Sequence, residues 1–169
     1  MKYEDESGEQ KYVHQTTYGM SERLLGATVA THGDDKGLII PPSIAPIQVI
    51  IVPILSKEGS GEVMAVANEM VNTLKSEKIR AKLDDRDIRP GQKYYDWEIK
   101  GVPLRIELGP RDLKSNSFMC ARRTGEKSSY SLDELITSVR EELKSVDTQM
   151  KESAKNHFDN RIKQMPSLE

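Results

Sequence analysis

The sequence predicts an α/β fold built on a mixed sheet, and three observations carry that prediction. A β-branched run at residues 47–55, IQVIIVPIL, has the unbroken apolar character of a strand covered on both faces. Amphipathic helical stripes then alternate with short strand patterns. The resulting order is strand, helix, strand, helix, strand, strand, helix. Helical crossovers favour mostly parallel pairing, while the short connection between the third and fourth strands permits a hairpin.

Taken in order, Met1 to Gln10 (MKYEDESGEQ) is too polar for a secretory signal and is expected to be flexible, as at a truncated start. Leu24, Leu25, Ala27, Thr28, Val29 and Ala30 form an apolar segment stopped by Gly33 and the Asp34-Asp35 pair. This reads as a short buried helix that needs a partner surface. Pro41, Pro42 and Pro46 bar regular helix and mark an extended connector, which sets a boundary between residues 1–42 and 43–150. After the first strand, Gly59-Ser60-Gly61 turns into a helix whose stripe is Val63, Val66, Ala67, Met70, Val71 and Leu74. That turn lacks the third glycine of a dinucleotide site and the Gly-Lys-Ser/Thr of a P-loop, so it reads as a plain turn.

Arg80 to Asp84 alternates as a short strand with one solvated face. Pro90 suits the first turn of a second helix bearing Tyr94 and Trp97, with Gly101 just past its end. In the third strand Leu104, Ile106 and Leu108 point one way, and Arg105 and Glu107 the other. A loop from Gly109 to Asn116 leads to a fourth strand, Ser117 to Arg123. Ser131 and Glu134 have capping-box spacing at the start of a long helix with Leu135, Val139, Leu143, Val146 and Met150 on one stripe. Residues 151–169 are expected to fray or to begin a further segment.

The 169 residues are 36% hydrophobic and 31% charged, enough for one real core. With 25 basic and 27 acidic residues the net charge is −2, so nucleic-acid binding would have to come from a local patch. The single cysteine, Cys120, cannot close an internal disulfide and alternates with Phe118 as a small buried hydrophobe. No apolar run approaches the ~20 residues of a membrane helix, and a cytoplasmic protein without membrane partners is expected. His32, Asp34 and Asp35 fall in a loop and are read as structural, not as a metal site. Asp84, Asp85 and Asp87 are interleaved with Arg86 and Arg89, which suits mutual pairing and hydrogen bonds to RNA better than cation capture.

Two stretches carry a resemblance: GMSERLLGATVATHGDDKGLIIPP, residues 19–42, and GVPLRIELGPRDLKSNSFMCARRTGEK, residues 101–127. The first is similar to the last conserved motif of class II aminoacyl-tRNA synthetase catalytic domains. The chain as a whole resembles the archaeal and eukaryotic branch of prolyl-tRNA synthetases, over roughly residues 13–150. The resemblance implies a remnant of a catalytic domain followed by an anticodon-binding domain with a five-stranded mixed sheet and three flanking helices. It also implies a parent enzyme that uses ATP with Mg²⁺ and proline and is a homodimer acting on tRNA(Pro). Earlier catalytic motifs are absent, so no catalytic residue is assigned. Arg23 matches the arginine that meets the ATP triphosphate, with Thr17, Gly19 and Ser21 nearby; arginine's fork pairs bidentately with phosphate oxygens.

For the anticodon, the resemblance points to residues 101–127, and the chemistry agrees. A carboxylate accepts from both the N1-H and the N2 amino group of guanine, while Arg or Lys donates to O6 and N7. Glu107 and Arg105, with Arg111, Asp112, Arg122 and Lys127, are the expected readers, and Phe118 or Tyr95 the stacking ring. A solvated strand face is the competing account of Arg105 and Glu107. The competing function is a non-catalytic accessory or regulatory protein that reuses the fold to bind RNA.

Overall fold

The structure is a computed structural model that describes residues 1–55 and 60–162. Its element order is β1 (Lys2–Glu4), β2 (Gln10–Tyr12), α1 (Arg23–His32), β3 (Val49–Pro53), α2 (Ser60–Ser76), β4 (Ala81–Leu83), α3 (Pro90–Ile99), β5 (Leu104–Leu108), α4 (Pro110–Lys114), β6 (Ser117–Arg122), β7 (Lys127–Ser131) and, after a short 3₁₀ turn, α5 (Leu135–Asp159).

Five strands form one sheet in the order β4-β3-β5-β6-β7. Strand β3 pairs parallel with β4 and with β5, and β5-β6 and β6-β7 are antiparallel. The sheet is therefore mixed, as expected: β4, β3, β5 and β7 run in one direction and β6 against them, with β7 adding a second hairpin that the sequence pattern does not announce. All five residues of β3 are buried, as its apolar run demands. One sheet face presents Val49, Ile51, Leu104, Ile106, Leu108, Phe118 and Cys120 to α2 and α5, forming the main core. The other face packs Ile50 and Val52 against Trp97 and Val102, with Tyr94 at the margin. Burial pushes the Cys120 thiol up to about 12, with a further rise from Glu142, as befits an inert core side chain.

Several expectations are corrected. Met1 to Gln10 is not featureless: β1 and β2 pair as an exposed hairpin whose turn is tied by Asp5 accepting from the Ser7 and Glu9 N-H groups. The 109–116 loop contains α4, opened by the Asp112 carboxylate accepting from the Gly109 N-H at 2.8 Å. Ser131 accepts from the Asp133 N-H, so it caps the 3₁₀ turn and not α5 directly. Helix α5 does not stop near Met150 but runs to Asp159. Helix α2 starts at Ser60, and Gly59 of the expected turn lies outside the described residues. Helix α1 forms where expected, but none of its residues is buried: Leu24, Leu25 and Val29 all face outward.

The connector is anchored on the sheet unit well before the prolines. Leu38 N-H donates to the Ile99 carbonyl at 3.1 Å and Ile40 N-H to the Gly101 carbonyl at 3.2 Å. Both contacts need glycine. At Gly37 (φ +127°) a Cβ would sit 2.6 Å from the Ile99 Cα, and at Gly101 (φ +70°) 2.7 Å from the Leu38 Cβ. Arg123 completes the attachment, with its side chain only 1% exposed and its two terminal nitrogens on the Asp34 carboxylate at 2.9 and 2.5 Å.

Candidate nucleic-acid interface

The α3-covered face of the sheet carries the candidate site. Alternation along β5 sends Leu104, Ile106 and Leu108 into the main core and leaves Arg105 and Glu107 on the α3 side. Register then brings Lys127 to them, since Arg105 lies opposite Ala121 and Ala121 opposite Lys127. Glu107 Oε1 accepts from Arg105 Nε at 3.0 Å and from Lys127 Nζ at 3.1 Å. Beneath them lies Tyr94, with the Arg105 guanidinium 4.0 Å and the Lys127 ammonium 5.9 Å from its ring centroid. A cation over a tyrosine face is worth about 0.5–2 kcal/mol, so the ring helps to hold Arg105 against the sheet. Burial and the Glu107 carboxylate push the Tyr94 hydroxyl up to about 12.

These groups differ in freedom. The Glu107 and Arg105 side chains are each 11% exposed, whereas Lys127 is 52% exposed. Lys127 is therefore the partner that can leave Glu107 at low cost. Arg105 has a second carboxylate in reach, Glu98 Oε1 at 3.3 Å from Nη1. Arg111 is exposed on α4, while Asp112 is partly committed to the cap of that helix.

Two expected readers are placed elsewhere. Phe118 has no exposed surface: it lies opposite Tyr130 on the face that α2 and α5 cover, so it cannot stack on a base. Tyr95, 62% exposed on α3, is the ring of the two that faces solvent. Arg122 pairs with Leu104 in register and thus lies on the main-core face, opposite to Glu107. There it bonds the buried Glu142, which also accepts from the Tyr130 hydroxyl, and reaches Glu126. The physical reason is strand parity: Phe118, Cys120 and Arg122 alternate together, so the two aromatic and basic candidates follow the cysteine inward.

Tyr94 and Glu98 are contributors that the sequence did not single out for this site. Tyr94 was visible only as a partner of Trp97 on a helical stripe; its place beneath Arg105 depends on how α3 crosses the sheet. Of the DDRDIRPG stretch, Asp84 is buried and binds Arg86 through both oxygens, at 2.8 and 2.7 Å, and the Trp97 Nε1-H at 2.6 Å. Arg86 continues to Asp96 on α3 at 2.7 Å, so it ties the loop to that helix. Thr17, Gly19, Ser21 and Arg23 are all exposed, and Arg23 opens α1. Among the described residues no group of three His, Cys, Asp or Glu side chains is disposed to hold a metal ion, and no helix is long and apolar enough to cross a membrane.

Comparison with known proteins adds two findings. Along its full length the chain is 49% identical to a proline–tRNA ligase of Thermococcus kodakarensis, of which it covers 35%. It is 49% identical over 96% of its length to one of Methanosarcina mazei, covering 34% of that protein, and 54% identical over 78% of its length to one of Methanoregula boonei, covering 28%. The chain thus spans about a third of the length of the curated relatives it matches. Residues 48–142 match the family model described as an anticodon binding domain. Because that match takes in more than half of the chain and encloses every strand of the mixed sheet, the chain belongs to the anticodon-binding domain family.

Proposed function

We propose that residues 43–150 hold the anticodon loop of a proline tRNA, as part of an enzyme that activates proline with ATP and joins it to that tRNA. The observation that carries this reading is the alignment of the entire chain, at 49% identity, with a protein named proline–tRNA ligase. The sheet chemistry supports it. Glu107 is held on the sheet by Arg105, and displacement of the half-exposed Lys127 frees acceptor capacity for the N1-H and N2 amino group of a guanine. Arg105, stacked on Tyr94, fixes the carboxylate's direction. Arg111 and the displaced Lys127 supply positive charge to the RNA, Asp112 a further acceptor, and Tyr95 a ring for a neighbouring base. A cytoplasmic location and a homodimeric parent belong to the same proposal, on the strength of the resemblance.

Arg23, with Thr17, Gly19 and Ser21, is proposed to meet the nucleotide in the parent enzyme. All four are exposed, which supports a role as one charged border of an ATP site completed by other surface of the parent enzyme. Mg²⁺ would accompany the nucleotide. Accordingly, the isolated chain should form no prolyl-adenylate, and activity without added protein would overturn this part of the proposal.

The direct test is binding of anticodon stem-loops. Glu107→Ala should weaken affinity for the guanine-containing loop by ~1–3 kcal/mol more than for a loop with adenines substituted. Equal losses on both RNAs would remove Glu107 from base reading.

A further inference from the structure

The Glu107 cluster is one end of an unbroken polar chain whose other end is the connector. Lys127 and Arg105 both donate to Glu107, and Arg105 also donates to the Glu98 carboxylate. The backbone carbonyl of Glu98 accepts from Arg123 Nε at 3.0 Å, and Arg123 grips Asp34 with its remaining nitrogens. Glu98 sits in the last turn of α3, and the next residues, Ile99 and Gly101, accept the connector's Leu38 and Ile40 N-H groups. The bonds that hold residues 34–40 to the sheet unit therefore gather around the C-terminal end of α3, at Glu98, Ile99, Gly101 and the neighbouring Arg123, while Pro42 and Ser43 are held separately by Arg80.

The group that joins the two ends is Arg105. Its one guanidinium is divided between two carboxylates, at 3.0 Å to Glu107 and 3.3 Å to Glu98, and it is too enclosed, at 11% exposure, to compensate with water. A donor that claims Glu107 competes for the lone pairs Arg105 uses. Any donor that Arg105 gives up there is already within reach of Glu98, in the last turn of α3 under the connector.

We propose that Glu98 and Arg123 are positioning residues that couple base occupancy at Glu107 to the seating of the connector, and thereby of the α1 segment that precedes it. This inference rests on the reading of Glu107 as a guanine acceptor. It assigns to the Asp34–Arg123 pair a role beyond anchorage: it is the point at which the state of the RNA site is delivered to residues 34–40. The structural alternative is a static bracket that holds the connector equally with or without RNA.

Hydrogen exchange at the Leu38 and Ile40 amides distinguishes the two, because each is bonded to the end of α3. With the full chain and a guanine-containing anticodon stem-loop, protection of both amides should rise by about threefold or more on saturation. In Glu98→Ala, at RNA concentrations that saturate the variant, the rise should vanish; Glu98→Gln, which keeps an acceptor oxygen, should retain part of it. Asp34→Asn, altered at the exposed end of the latch, should lower protection of both amides in the free chain and abolish the RNA-dependent rise. Binding without any change at Leu38 and Ile40, or an undiminished change in Glu98→Ala, would overturn the coupling while leaving base recognition intact. Absence of guanine-dependent binding would overturn both.

Discussion

At Asp84 the competition between burial and hydrogen bonding can be followed group by group. Burial alone pushes its carboxyl up, but donors from Arg86 and the Trp97 indole outweigh it and hold it down to about 2, from 3.8. A carboxyl whose pKa is lower in the fold stabilises fully above the unfolded value and loses that contribution as pH falls through the folded one. Stability should thus be level above about pH 4 and decline toward pH 2. Asp34, lowered to about 2 chiefly by Arg123 hydrogen bonds, works in the same direction, though its 43% exposure makes its share small. Asp84→Asn should flatten the acid decline in urea titrations. Asp84→Ala should cost about 2 kcal/mol, mainly by leaving the buried Trp97 N-H without an acceptor. An unchanged urea midpoint in Asp84→Ala would show that the indole finds another partner.

The elements that the sequence foretold are those whose burial is written in their own residues. β3 is apolar throughout and buried throughout; β5 alternates its side chains between the two sheet faces, with Glu107 buried on the second; α2 and α5 bury the stripes their spacing predicts. β7 was illegible because KSSYS has no apolar alternation: its strand state comes from pairing with β6 and from Tyr130 against Phe118, 5.9 Å between ring centroids. For the site, Glu107 with Arg105 was readable from strand parity, whereas the same parity, had it been carried into the next strand, excludes Phe118 and Arg122. The antiparallel register that fixes their side depends on hairpin geometry absent from any local pattern. Glycines at the crossing of connector and α3 offer a test at this scale. Gly101→Ala forces a left-handed backbone and a clash with Leu38, and should cost ~2–3 kcal/mol in unfolding free energy. Gly125→Ala, at φ +112° with open space around it, carries the backbone penalty alone and should cost less. Equal losses in thermal or urea unfolding would mean that the crossing is not tightly packed.

Considered whole, the molecule has almost no net charge, at −2, and Arg86, Arg105, Arg122 and Arg123 are already engaged with carboxylates of their own chain. RNA affinity should therefore depend on salt only weakly. If contact is confined to Arg111, Lys114 and Lys127, the logarithm of the association constant should fall with the logarithm of salt concentration at a slope of about −2. A slope steeper than about −5, measured by titration at several ionic strengths, would reveal a far wider cationic footprint. The bidentate hold of Arg123 on Asp34 also decides where this protein can be cut. Excising the sheet unit at the family match, from residue 48, would spare every strand of the mixed sheet yet remove the carboxylate that Arg123 grips in the intact chain. Losing that pair together with the Leu38 and Ile40 bonds to the end of α3 should destabilise the cut piece, so a self-sufficient piece starts upstream of Asp34, fourteen or more residues before homology alone would place it.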